Sequence, residues 1–195
     1  MKKSITFIFL LALTGPIPGM AKTTILTFDD LGSSERLIPN GYEGFNWDNF
    51  RTSDAISSME PESGYKEGIV SPPYAAFNSG YEPASFSSTV PFNLVSIYVT
   101  KAWISGITHF DGYVGDTLRY STDVFSTPAG PTLTTFNWSN LSKVTMSDGD
   151  NTYQSVIDNV TVSMVPEPET ITVLLAGLGL IGYASRRRNK WAQAS

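Results

Sequence analysis

Between residues 24 and 163, short runs of β-branched and aromatic residues alternate with clusters of Gly, Pro, Asn, Asp and Ser. The runs at 24–28, 45–50, 92–100, 102–104, 107–110, 117–120, 132–136, 143–146 and 156–163 read as strands. Turn chemistry divides them at Pro39-Asn40-Gly41, Asn78-Ser79-Gly80, Ser105-Gly106, Asp111-Gly112, Pro128-Ala129-Gly130 and Asp148-Gly149-Asp150. Many short strands with such joints predict an all-β fold over residues 22–164, a single antiparallel β-sandwich or a barrel. In the last run Val156, Asp158, Val160 and Val162 share one face of a period-two pattern, which predicts a core strand with Asp158 as its polar exception. Residues 51–90, rich in Ser, Pro, Glu and Gly, read as long surface loops.

The pattern changes at both ends. Lys2 and Lys3 precede an apolar run at 5–13, the helix breakers Gly15, Pro16 and Pro18 follow, and small Gly19 and Ala21 flank Met20. This is the layout of a secretory signal peptide, with cleavage by signal peptidase after Ala21, so residues 1–21 form a signal helix outside the fold. A buried N-terminal helix is the alternative. Near the other end, residues 171–184 are 14 positions without a charge. As a helix rising about 1.5 Å per residue they span ~21 Å, short of the ~30 Å hydrocarbon layer. Length alone favours a core helix. Arg186, Arg187 and Arg188 favour a membrane span, because they can snorkel into the headgroups and hold the basic end on the cytoplasmic side. The body then lies outside, in agreement with the signal peptide.

Val165-Pro166-Glu167-Pro168, a glycine-containing apolar segment and an arginine cluster, in that order near the C-terminus, resemble the PEP-CTERM sorting signal. The resemblance covers residues 165–190: the motif at 165–168, a transmembrane helix at 170–185 and a basic cluster at 186–190. It implies a bacterial protein that is exported, held in the inner membrane by its C-terminal helix, and cut near Pro-Glu-Pro by an exosortase. Pro166 and Pro168 suit this, since neither fits inside a regular helix and both keep the stretch extended for a protease. A permanent anchor is the alternative. The body in turn resembles galactose-binding-like jelly rolls, through Thr27-Phe28-Asp29-Asp30, the region from Ala102-Trp103-Ile104 to Gly115, and Ile157-Asp158-Asn159-Val160.

Charge sharpens this division. Of 18 acidic and 13 basic side chains in 195 residues, the body at 22–164 holds 16 acidic and 7 basic. Such an acidic body argues against a nucleic-acid partner, which needs clustered Lys and Arg. It also keeps the protein soluble and lets divalent cations bridge it to anionic polymers. The absence of cysteine excludes disulfides, thiolate metal sites and cysteine nucleophiles.

Candidate chemistry is sparse. Asp29 and Asp158 meet if the first and last strands are neighbours, and with Asp30 or Asn159 they offer oxygens to a structural calcium ion, as the jelly-roll resemblance also implies. The alternative is a solvated strand end at Asp29 and a hydrogen-bonded Asp158. Tyr42 and Trp47 can stack on a sugar ring while Asp48 fixes its hydroxyls, or the same aromatics can fill the core. His109 is the sole imidazole, and without a Gly-x-Ser-x-Gly elbow it is not expected to be catalytic. A carboxylate pair for glycan hydrolysis has no fixed spacing in sequence. The Asn-x-Ser/Thr triplets at Asn137, Asn140 and Asn159 follow from composition.

The expectation is therefore a non-enzymatic, exosortase-sorted protein of the cell surface or extracellular matrix, structural or glycan-binding, associated with extracellular polysaccharide. A carboxylate-dependent glycan hydrolase is the alternative.

Overall fold

The computed structural model describes residues 22–32, 35–54, 62–149, 153–164 and 177–181. The signal segment 1–21 with Ala21, the motif residues Val165, Pro166, Glu167 and Pro168, and Arg186, Arg187 and Arg188 lie outside the described residues.

Period-two burial builds most of the strands. In β6 (Gly106–Val114), Thr108, Phe110 and Gly112 are buried while Ile107, His109 and Asp111 face outward. The other strands are β1 (Lys22–Leu26), β2 (Asn46–Asp48), β3 (Phe50–Asp54), β4 (Tyr74–Asn78), β5 (Ala84–Lys101), β7 (Thr117–Ser126), β8 (Thr132–Asp148) and β9 (Ser155–Met164). All pairings are antiparallel, in the order β3-β4-β9-β5-β8-β6-β7, with β1 added to β9 and β2 to β5. The chain is an all-β antiparallel fold, as its hydrophobic pattern predicts.

The sheet folds over on itself at its longest strands. An 18-residue strand such as β5 would extend about 56 Å if straight. Yet Met146 pairs with Ala84 at its first residue, while Asp148, two residues further along β8, ion-pairs with Lys101 at its last. Strand β5 therefore folds back, and its register shifts between Ser87 and Ser96 mark where. One half pairs with β2 and leads through β8 to β6 and β7; the other pairs with β9 and leads to β4 and β3. Side chains from the two halves meet in between. Trp47 of β2 packs edge-on against Phe50 of β3 and Phe28 after β1, at centroid distances of 5.4 and 5.5 Å, and Phe110 of β6 meets Phe136 at 5.1 Å.

Several boundaries differ from the pattern-based expectation. Residues 51–90 are not mainly loop: they complete β3, form β4 and begin β5, with a short helix α1 (Gly64–Glu67) between. Strand β4 is buried at Ala75, Ala76, Phe77 and Asn78 alike, so it shows no alternation, and two alanines give it little β propensity. Residues 102–104 form the β5–β6 loop instead of a strand. The runs at 132–136 and 143–146 belong to one strand, continuous through Asn137 and Asn140, both at positive φ.

In β9 the expected common face is broken. Asn159 adopts φ 47° where the pairing with β5 shifts register, so Ile157, Val160 and Val162 enter the main core while Val156 joins a second cluster with Ala75, Phe77 and Ala102. Tyr65 and Ile69, from the segment around α1, cover that second cluster.

Residues 21–165 and the terminal segments are separate units. In the tail, residues 177–181 are helical, with Leu178, Leu180 and Ile181 exposed. Among the described residues no helix is long and apolar enough to cross a membrane, and of the expected span at 170–185 only 177–181 is described.

Candidate functional site

The aromatic cluster singled out as a sugar platform is core. Trp47 is 5 % exposed, donates Nε1–H to the Tyr42 carbonyl at 3.1 Å, and is enclosed by Phe28, Phe45, Phe50 and Phe86. Its indole face is thus not open to a sugar. Tyr42 packs beside it and donates its hydroxyl to Asp30 Oδ1 at 2.9 Å while accepting Phe28 N–H; burial first, then the Asp30 bond, raises its pKa. Asp48 is exposed on β2, on the opposite side of that strand from Trp47.

Asp29, in the turn after β1, lies near enough to Asp158 of β9 for its charge to act on it. Asp158 is fully buried, and both of its oxygens are engaged: Oδ2 accepts the N–H groups of Val70 and Ser71 at 2.7 and 2.9 Å, and Oδ1 accepts that of Asn159 at 2.6 Å. Asp29 Oδ1 accepts the N–H of Tyr74 at 3.1 Å. The Val70 and Ser71 donors latch their segment onto β9, and the Tyr74 donor ties the start of β4 to the turn after β1. Backbone N–H groups occupy the lone pairs that a calcium ion would need, and among the described residues no group of three His, Asp or Glu side chains is arranged to hold a metal ion. The donor set does not fit the ion. Burial foremost, against these bonds and with Asp29 adding repulsion, pushes the Asp158 carboxyl up to about 7.

A different place offers an open, chemically mixed surface. On the outward faces of β6, β7 and β8, a cavity of about 780 Å³ is lined by Gly106, Ile107, His109, Asp123, Phe125, Ser147, Asp148 and Gly149. Strand register sets its composition. Ile107 pairs with Phe125, and His109 sits between Asp123 on one side and Ser147 on the other. Phe125 is 63 % and Ile107 45 % exposed, giving a side-by-side apolar floor. Beside it, His109 Nδ1 lies 2.6 Å from Asp123 Oδ1, and Nε2 lies 3.1 Å from Asp111 Oδ1 and 3.2 Å from Ser121 Oγ. Only the imidazolium can donate to both carboxylates. The Asp123 hydrogen bond foremost, then the Asp111 charge and bond, raise the His109 pKa against its partial burial.

Under this floor lies a buried ion pair. Lys101 Nζ and Asp148 Oδ1 are 2.7 Å apart with side chains 2 % and 0 % exposed. Ser155 Oγ also donates to Asp148 Oδ1 at 2.7 Å and lies 2.6 Å from Thr108 Oγ1. Lys101 Nζ further donates to the Ile107 carbonyl at 3.3 Å, which ties the pair to the strand carrying the apolar floor.

Sequence reasoning did not single out Phe125, Asp123 or Ile107. The one available signal was the parallel alternation Ile107, His109, Asp111 and Ser121, Asp123, Phe125, whose meaning depends on a hairpin register that the sequence does not print.

No curated protein sequence matches the chain. Among solved structures, the chain is similar to a family 29 carbohydrate-binding module from Piromyces equi, at 11% identity and a TM-score of 0.40 over 75% of this chain and 91% of the other. It is also similar to TmCBM61 in complex with beta-1,4-galactotriose, at 10% identity and a TM-score of 0.30 over 68% and 94%. At its C-terminal end the sequence itself is decisive: residues 165–188 match the PEP-CTERM protein-sorting motif, so the chain carries a signal that implies an exported protein transiently anchored in the membrane.

Proposed function

We propose that the β-sandwich is a non-catalytic, polysaccharide-binding body of the cell surface or extracellular matrix. Signal peptidase frees its N-terminus, the C-terminal helix holds it in the inner membrane, and exosortase releases it near Pro166-Glu167-Pro168. The observation that carries the binding reading is the cavity on β6, β7 and β8. A pyranose has an apolar face and a polar rim, and here an exposed Phe125–Ile107 floor stands beside Asp123, His109 and Ser147. The surface is open, as an extended polymer requires. Hydrolysis is disfavoured by the same geometry. A glycosidase places a proton donor and a second carboxylate on opposite sides of a bond, whereas Asp111 and Asp123 are both bound to one imidazole.

Calorimetric titration of the full chain, in mild detergent, with exopolysaccharide from its own host tests this. Binding is expected, with at least a tenfold loss in Phe125→Ala and an unchanged melting temperature, since that ring is mostly exposed. Absence of binding by the unaltered chain, or equal binding by Phe125→Ala, would contradict the proposal.

A further inference from the structure

We infer that the cavity selects sugars bearing a free amine, a hexosamine unit carrying its positive charge, over neutral N-acetylated and over acidic sugars. This rests on the polysaccharide-binding reading and specifies its ligand class. The first ground is charge. Facing the cavity or its rim are Asp123 on β7, Asp111 and His109 on β6, and from β8 the uncharged Ser147 together with Asp148, whose charge is cancelled by Lys101 beneath it. With His109 protonated and the Lys101–Asp148 pair neutral, these groups still sum to one negative charge. The nearest cation, Lys101, is buried beneath and matched by Asp148. Lys143, on the same outward face, lies over the Tyr113 ring at the far end of the β6–β8 ladder from Ser147. Among the described residues, then, no lysine or arginine lines the cavity. An anionic uronate would meet net repulsion there.

The second ground is spacing. Phe125 and Asp123 are two residues apart on one strand face, about 6.7 Å at strand rise. A pyranose stacked on Phe125 and Ile107 therefore places an exocyclic substituent at the Asp123 carboxylate. Asp123 is the more accessible of the two acids, with its side chain 61 % exposed against 21 % for Asp111. Its Oδ1 is held by His109, and its Oδ2 accepts no hydrogen bond among the described residues. An ammonium group supplies donors and charge to that oxygen; an acetamido group supplies one N–H and no charge.

The test compares three soluble tetramers, of glucosamine, N-acetylglucosamine and galacturonate, titrated into the full chain in mild detergent at pH 6. The glucosamine tetramer is expected to bind at least tenfold more tightly than either other. Asp123→Asn should remove that preference while leaving weak binding of the N-acetylated tetramer, and Phe125→Ala should weaken both. Asp116→Asn, in the β6–β7 turn away from the cavity, controls for general attraction of a cation to an acidic protein. Equal or tighter binding of the N-acetylated or galacturonate tetramer would overturn the amine selection and leave polysaccharide binding standing. So would an Asp116→Asn loss as large as that of Asp123→Asn. Failure of every tetramer to bind, together with failure of the host polysaccharide, would overturn both readings.

Discussion

Two buried acids, Asp148 on β8 and Asp158 on β9, the strands that flank β5, show how differently a carboxylate can be held. Asp148 is matched by a lysine, and removing one partner of such a pair leaves the other charge stranded. Asp148→Ala should cost about 3–5 kcal/mol in urea unfolding, and Lys101→Met combined with it should cost less than Asp148→Ala alone. Asp158 has only backbone donors, and its folded pKa of about 7 lies above the 3.8 of an unperturbed group. The native state then binds the proton more tightly than the unfolded chain. Its stabilising share is complete below about pH 4 and is lost as pH rises through about 7. His109 adds a separate loss that begins above about 6.5, because its folded pKa is also raised. The urea midpoint should therefore fall between about pH 4 and 6 in the unaltered chain and stay level there in Asp158→Asn; an equal fall in the variant would contradict this assignment. The proximity of Asp29 and Asp158 was legible from their places at the first and last strands of the body, which pair with each other. The latch was not, because its donors are the main-chain N–H groups of Val70 and Ser71, which no side-chain pattern announces.

The strands were legible where one face meets the core and the other meets water, as in β6 and in the Lys143 to Met146 part of β8. They were hidden where both faces are covered, as in β4, or where serines fill the outward positions, as in Ala84-Ser85-Phe86-Ser87. Helix α1 could not be read at all: four residues carry no periodicity, and it is fixed by contact with β5. A Cβ on Gly64 would lie 1.9 Å from the Lys101 carbonyl oxygen, and the Gly64 N–H donates to the Ala102 carbonyl at 2.8 Å. Gly64→Ala must push α1 off the strand and uncover Phe77 and Val156. It should destabilise by about 1–3 kcal/mol, lowering the melting temperature by several degrees. An unchanged melt would mean that α1 is not packed as described.

At the scale of the whole molecule, the folding-over of the sheet depends on where β5 bends back, which is set by contacts between residues far apart in sequence. Local pattern could predict an antiparallel all-β body and could not predict which outward face would gather Phe125, Asp123 and His109. The same topology joins the body's two ends: Lys22 pairs with Met164. The residue after the expected signal cleavage therefore lies beside the residue before the sorting motif, and both cuts would leave every strand intact. The account's central claim is that the apolar ends are addresses read by processing enzymes and that the sandwich is the delivered product. Intact mass and terminal peptide sequencing of the protein recovered from its native host test this most directly. The account predicts a chain beginning at Lys22 and ending near Pro166-Glu167-Pro168, without the arginine cluster. Recovery of a surface or matrix protein that still carries residues 1–21 and 169–195 would contradict it.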